Sequence, residues 1–276
     1  MCSERRPEPS LPDVPEEARP LSASRRMKML TLAGRVILEN GGETYRAEDT
    51  VLRMAQAMDL KEPEAFCVPS GIFISFMDEN GEPRTAVCRV HARGVHLARV
   101  DAVNQISRRL VAGQMGEGTL PDALAAAGEL GRQEAFWHMP LASFLAAAAF
   151  AVMFGGGPWD AAVSGACACL TPLLPRLLLR GRDSSMALLL LGSFVSALVP
   201  LLFHRLTGLG LPEAMIAGAL MPLVPGLSMT NAVQDVLRGD MISGVAHGAR
   251  AALSAALIAG GALLGAYVAG LAGGML

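Results

Sequence analysis

The second half of this chain carries too little charge to be a water-soluble domain. Residues 139–276 hold 6 Lys/Arg and 5 Asp/Glu, whereas residues 1–138 hold 17 and 20. Charged groups keep a globular surface in water, so a stretch this apolar and this long predicts a membrane domain. The whole chain is 52% hydrophobic with a mean hydropathy of +0.40, which excludes a disordered or fibrous protein and is too apolar for an ordinary soluble enzyme. A net charge of −2 offers no basic field to nucleic acid, so nucleic acid is not an expected partner. Five cysteines do not read as a disulfide framework and fit a reducing compartment.

The first half reads as a tail and a small domain. Residues 1–24 contain five Pro and no apolar run, which is not the pattern of a secretory leader; a disordered, cytosolic, Pro-rich tail is expected. Residues 25–138 are expected to form a cytoplasmic α+β domain. Leu30, Ala33, Val36, Ile37 and Leu38 recur at near-helical spacing from Met27, and Asn40-Gly41-Gly42 stops that helix. Thr44 is placed to cap a second helix with Val51, Leu52, Ala55 and Met58 on its stripe. Strands are expected at 66–69, 72–77 and 85–90, with the Asn80-Gly81 turn joining the last two. Leu97, Val100, Val103, Ile106 and Leu110 mark a further amphipathic helix, and Thr119-Leu-Pro-Asp122 opens another.

The chemistry of that domain is sparse. Glu43, Thr44, Tyr45 and Arg46 sit in a polar, turn-rich stretch that either faces a ligand or partner or forms an ordinary helix–helix corner. Ser75 has no G-x-S-x-G elbow around it. His91 and His96 would need further ligands to hold a metal and read instead as part of a solvated basic face with Arg89 and Arg93. Together with Arg99, Arg108 and Arg109, those arginines could also meet anionic headgroups beneath a bilayer. No phosphate-binding motif is present, so no cofactor and no metal are expected.

In the second half, five segments approach the roughly 20 apolar residues needed to cross a bilayer: 139–154, 160–179, 185–203, 211–224 and 249–271. Arg176, Arg180, Arg182, Arg238 and Arg250 fall on one side and Arg205 on the other, which puts the N-terminus inside and the C-terminus outside. Small residues, among them Gly261-xxx-Gly265, predict close helix neighbours within the chain or in a second subunit. Pro222, Pro225 and Gly226 break the fourth segment near its end, where freed backbone carbonyls are tolerated only against protein or a wet cavity. Asn231, Asp235 and Arg238 follow at i, i+4 and i+7, one helical face. That pattern is either a transporter's substrate site or a re-entrant turn leading to a loop helix. Asp160, at the mouth of the second segment beside Trp159, is either a proton-relay acid or a helix N-terminal acid stabilised by the dipole. Cys167 and Cys169 face different directions and read as packing residues.

The order of features resembles the threonine/serine exporter family (ThrE/YjjP-like), in its N-terminal module. The resemblance rests on Leu38-Glu-Asn-Gly-Gly-Glu-Thr-Tyr-Arg46, Pro69-Ser-Gly-Ile72 with Ser75, the stretch 89–100, Gly156-Gly-Pro-Trp-Asp160, and Leu223-Val-Pro-Gly226 through Asn231-Ala-Val-Gln-Asp235. It implies efflux of threonine and serine, or of succinate, powered by the proton motive force. Some relatives continue into a second membrane module; this sequence stops after the fifth segment, so the resemblance implies a separate small multi-span subunit, as in two-component small-metabolite exporters.

The sequence thus predicts an α-helical membrane protein of about five transmembrane helices with an N-terminal cytoplasmic α+β domain, in the bacterial cytoplasmic membrane. The expected function is export of a small carboxylate metabolite coupled to inward proton movement. The expected pathway residues are Asp160, Pro225, Gly226, Asn231, Asp235 and Arg238, with Arg238 holding the substrate carboxylate through a two-pronged contact. Expected partners are the second subunit or another copy of the chain, membrane lipid and the substrate. The alternative is a membrane-anchored hydrolase using Ser75 and a histidine.

Overall fold

The computed structural model describes residues 21–91, 94–131, 138–171 and 185–273. The chain divides into two compact units, Met1–Arg132 and Gln133–Leu276.

The first unit runs α1 (Ala23–Glu39), α2 (Thr44–Ala57), β1 (Lys61–Val68), β2 (Gly71–Met77), β3 (Pro83–Arg89), α3 (Leu97–Val111), a 3-10 turn (Glu117–Thr119) and α4 (Leu120–Glu129). The three strands form an antiparallel sheet in the order β1-β2-β3. Side chains alternate along β2: Ile72, Ile74 and Phe76 are buried, while Phe73 between them is exposed. The buried side packs with Leu30, Val51, Met54, Val103, Leu120 and Leu124 of the helices, each such burial contributing roughly 1.5–3 kcal/mol.

Local signals explain the joints. At the end of α1, Asn40 Nδ2 donates to Val36 O at 2.7 Å, Gly41 takes φ +88°, and Gly42 N–H donates to Ile37 O at 3.0 Å. In the β2–β3 turn, Asp78 Oδ1 accepts the N–H groups of Asn80 and Glu82 at 2.9 and 3.0 Å, and Oδ2 accepts Arg84 Nε at 2.9 Å. The Glu82 N–H, then Arg84, hold the Asp78 carboxyl below its ordinary range. Arg26 forks onto Glu117, Nε to Oε2 at 2.9 Å and Nη2 to Oε1 at 3.1 Å, tying α1 to the 3-10 turn.

Some expected boundaries move. α1 begins at Ala23 rather than Met27, and β1 at Lys61 rather than Phe66, with a register shift between Lys61 and Glu64. Glu43, not Thr44, occupies the N-cap position of α2; Thr44 is fully buried inside the first turn. Thr119 does precede α4, but its hydroxyl donates to Gly116 O at 2.9 Å instead of capping the helix.

The second unit is helical: α5 (His138–Met153), α6 (Pro158–Leu170), α7 (Ser185–Thr207), α8 (Pro212–Leu220), a 3-10 turn (Met221–Leu223), α9 (Gly226–Leu237) and α10 (Met241–Gly273). Among the described residues, Met186–Thr207 and Met241–Leu271 are each long and apolar enough to cross a membrane. A third candidate is the pair Pro212–Leu223 and Gly226–Leu237, bent by 57°. α5 is apolar but only 16 residues long, and the end of the expected second segment, with Arg176, Arg180 and Arg182, lies outside the described residues. The fourth expected segment is shorter than 211–224 as a helix because the prolines end it at Leu220. The fifth begins at Met241 rather than 249: Asp240 caps it, Oδ1 accepting Ser243 N–H at 3.0 Å and its carbonyl accepting Gly244 N–H at 3.0 Å.

Small residues set the helix contacts. Ser164 Oγ donates to Ala147 O at 3.2 Å, and a Cβ on Gly218 would lie 2.8 Å from that same carbonyl. Gly261 lies against Ser193 and the Leu190 carbonyl, Gly265 against the Phe194 carbonyl, and the Arg205 guanidinium donates to Ala269 O. Contacts therefore rise together along α7 and α10, so these two helices run parallel. Lipid supplies no hydrophobic force between helices, and close backbone approach gives dispersion its reach. Outward, Leu145, Val152, Leu253, Leu263 and Leu264 are exposed, an apolar surface suited to lipid.

Candidate functional site at a broken membrane helix

The break begins where Pro222 and Pro225 remove two helix donors. Val224 N–H reaches back to Met221 O at 3.2 Å, Val224 itself is extended (φ −60°, ψ 128°), and the helix restarts with Pro225 in the N-cap position and Gly226 first. Beside the break lies a cavity of about 140 Å³ lined by Ser143, Ala168, Thr171, Leu188, Pro222 and Leu223 among others. Its walls are mainly apolar with two hydroxyls, and it has room for several waters or part of a small solute.

α9 carries Asn231 and Asp235 inward, 8% and 1% exposed. Facing them across the Gly239 turn is α10, whose His247 Nδ1 lies 3.0 Å from Asp235 Oδ2. The two helices can approach because Gly244 lies on α9: a Cβ there would stand 3.1 Å from Ala232 O. Ser243, one turn before His247, is fully buried, and its hydroxyl has no hydrogen-bond partner among the described residues. Arg238, the third member of the expected face, is exposed at the C-cap of α9 rather than buried with the other two. The helical reading Asn231–Asp235 is thus a physical face, and His247 is the group that sequence reasoning missed.

Asp160 belongs to a different cluster. It is 2% exposed, and its two oxygens accept two backbone donors: Gly157 N–H to Oδ2 and Leu211 N–H to Oδ1, both at 2.7 Å. Gly157 and Leu211 are the N-cap residues of α6 and α8, so one carboxylate closes the positive ends of two helices. Gly210, at φ +74°, lies directly against the carboxylate and leaves no space for a side chain.

In the first unit Glu43 and Arg46 pair with each other, Oε2 to Nε at 2.8 Å, at the start of α2, with Tyr45 half-buried between them. Ser75 Oγ lies 3.2 Å from Thr85 Oγ1 across the sheet, in a shallow groove with Phe66 and Phe73. Among the described residues its hydrogen-bond partner is this strand hydroxyl, and no histidine is paired with it. Among the described residues, no three His, Cys, Asp or Glu side chains gather as a metal site. Cys167 is buried and Cys169 half-buried, both as free thiols.

Buried carboxylates at helix ends and beside a broken apolar helix are features that membrane transporters use. The chain belongs to the threonine/serine exporter family: residues 28–269 match the family described as "Putative threonine/serine exporter". It is 25% identical over 246 residues to the "Probable succinate transporter subunit YjjP" of Escherichia coli (strain K12), covering 87% of this chain and 93% of the relative. The protein of the same description from Klebsiella aerogenes is 26% identical over 223 residues, 79% of this chain and 83% of the relative. No solved structure matches the chain. The family and relatives point to a transporter subunit and not an enzyme, and the hydrolase alternative is thereby set aside.

Proposed function

We propose that this chain is one subunit of a bacterial inner-membrane exporter of small carboxylate metabolites, of the threonine/serine or succinate type, driven by the proton motive force. The observation that carries this reading is Asp235: a carboxylate 1% exposed, placed just after a 57° break in an apolar helix pair. A buried ionisable group in a membrane domain is costly and is retained for solute or proton binding. The family membership and the names of the two bacterial relatives supply the class of cargo.

The helix contacts support a crossing by the broken pair. α7 and α10 are parallel neighbours, so the chain between them must return across the membrane, and α8 with α9 is the segment available to do so. A re-entrant turn would return α10 antiparallel to α7. The Asp160–Leu211 bond and the Arg205–Ala269 bond gather the ends of α7 and α10 and the starts of α6 and α8, as five alternating spans with an outside C-terminus require. Within this reading Asp235 binds the proton or a substrate ammonium, Asn231 adds neutral hydrogen bonds, Pro225-Gly226 exposes backbone groups, Arg238 offers a fork to a carboxylate, and Asp160 holds the outer helix ends in place. The outward apolar surface suits lipid and a second small multi-span subunit or another copy of this chain. The first unit, with the Glu43–Arg46 corner, is assigned to the cytoplasm, for assembly or gating.

The test is efflux of labelled threonine and of labelled succinate from preloaded cells that express this chain with its partner subunit. Asp235→Asn should cut efflux at least about tenfold at unchanged protein level, and Asp160→Asn should cut it with a loss of folded protein. Parental export by both variants would overturn the residue assignment.

A further inference from the structure

His247 is a histidine inside an apolar helix, and nothing in the family match or the relatives' names gives it a task. It lies on the same face of α10 as Ser243, one turn away, and its ring meets a carboxylate that is almost wholly buried. An imidazole Nδ1 and a carboxylate oxygen 3.0 Å apart form the simplest unit that can take up and release one proton near neutral pH.

Resting on the exporter reading, we propose that Asp235 and His247 form the proton-binding site of this transporter, at the end of the membrane unit where cytoplasmic substrate loads. The position follows from helix geometry. His247 precedes Leu271, the end of the apolar window, by about 36 Å along α10 at 1.5 Å per residue. That exceeds the roughly 30 Å hydrocarbon core, so the pair sits at the boundary opposite the Arg205 end.

The charge balance is simple. With the proton released, the pair is a carboxylate beside a neutral ring, net −1. When a proton from water joins the ring nitrogen, it becomes a carboxylate–imidazolium pair of net zero. No other atom changes owner. Around it, α9 contributes Asp235, with Arg238 at its C-cap, and α10 itself carries Arg250, with Asp240 at its cap. α7, also packed on α10, carries His204 and Arg205, and Arg205 is bonded to Ala269, near the far end of α10. The group that meets the ring at hydrogen-bond distance is Asp235.

A site that alternates between −1 and zero treats two cargo charges oppositely. The ammonium of a zwitterionic amino acid competes with the proton and loads better when the pair is deprotonated. A dicarboxylate is repelled by the deprotonated pair, and a cargo that loads only with the proton would leave with it, so inward proton movement drives export of the ammonium-bearing cargo and not of the dicarboxylate.

The decisive experiment uses the full chain with its partner subunit in proteoliposomes, measuring exchange of labelled threonine and of labelled succinate at equal internal and external concentration between about pH 5.5 and 8. Threonine exchange should fall by about tenfold on acidification, and His247→Gln should flatten that dependence. A parental pH profile in H247Q overturns the proposal. Independently of transport, ring-labelled histidine spectra of the detergent-purified full chain, with H247Q identifying the resonance, should show the His247 ring taking up a proton with a midpoint that Asp235→Asn displaces, as the 3.0 Å contact requires. A midpoint unmoved by D235N also overturns it. Should the titration be coupled while neither substrate exchanges, the proton site stands and the exporter reading is what fails.

Discussion

Asp160 and Asp235 are both buried carboxylates, yet their surroundings give them different work. Asp160 spends both oxygens on backbone N–H groups at 2.7 Å, so removing it leaves two helix N-termini without their acceptor. Asp160→Ala should lower the stability of the detergent-purified chain by about 2–4 kcal/mol, read by thermal unfolding. Asp160→Asn should fall between, because its amide can accept from one N–H but presents donors to the other. Asp235→Asn should cost less, and the reverse order would contradict the division of roles. In the first unit, the folded-state pKa of Asp78 is depressed, first by the Glu82 N–H. Its contribution to stability is therefore fully present above the ordinary carboxylate pKa of about 3.9 and is lost only as pH falls through the lower folded value. The Asn80 and Glu82 amide resonances should hold their positions at pH 5 and move only in more acidic solution; Asp78→Asn should remove that step. Asp160 was legible as an acid in the first turn of a helix, but its bond to Leu211 spans 51 residues and no local pattern carries it. His247 escaped because the apolar criterion started the last segment at 249; the cap at Asp240, which starts the helix at Met241, was the signal that would have included it.

Elements are joined here by what is missing from side chains. Gly261 and Gly265 let α10 reach the backbone of α7, and a side chain at either must push the helices apart. Gly261→Leu should separate the pair and abolish a folded detergent-purified protein by size-exclusion chromatography, while Gly270→Leu, where nothing lies within 4 Å, should be tolerated. Equal behaviour of the two variants would contradict the packing. The helices, the hairpin and the helix break were all readable because each rests on local chemistry: 3.6-residue periodicity, Asn-Gly at a turn, proline without an N–H. Exact ends were not, since Thr44 lost the cap position to Glu43 and β1 extends back to Lys61 through a bulge that only pairing with β2 defines.

At the scale of the molecule, the uneven charge pointed to a membrane protein, and the candidate spans Met186–Thr207 and Met241–Leu271 agree with it, while the pairing of helices needed the structure. The parallel course of α7 and α10 makes a labelling prediction. In a background without native cysteines, Leu209→Cys should react with a membrane-impermeant maleimide on intact spheroplasts, and Met241→Cys only after permeabilisation. Reaction of both from the same side would remove the crossing by α8 and α9. The claim that governs everything else is that this chain moves a solute. Its most direct measurement is release of labelled threonine or succinate from proteoliposomes containing the purified chain and its partner subunit, on imposing a proton gradient acidic outside the compartment that holds the solute. Gradient-dependent release that requires both proteins and is lost in D235N is expected; release no faster than from protein-free vesicles, for both solutes, would mean that the chain moves neither.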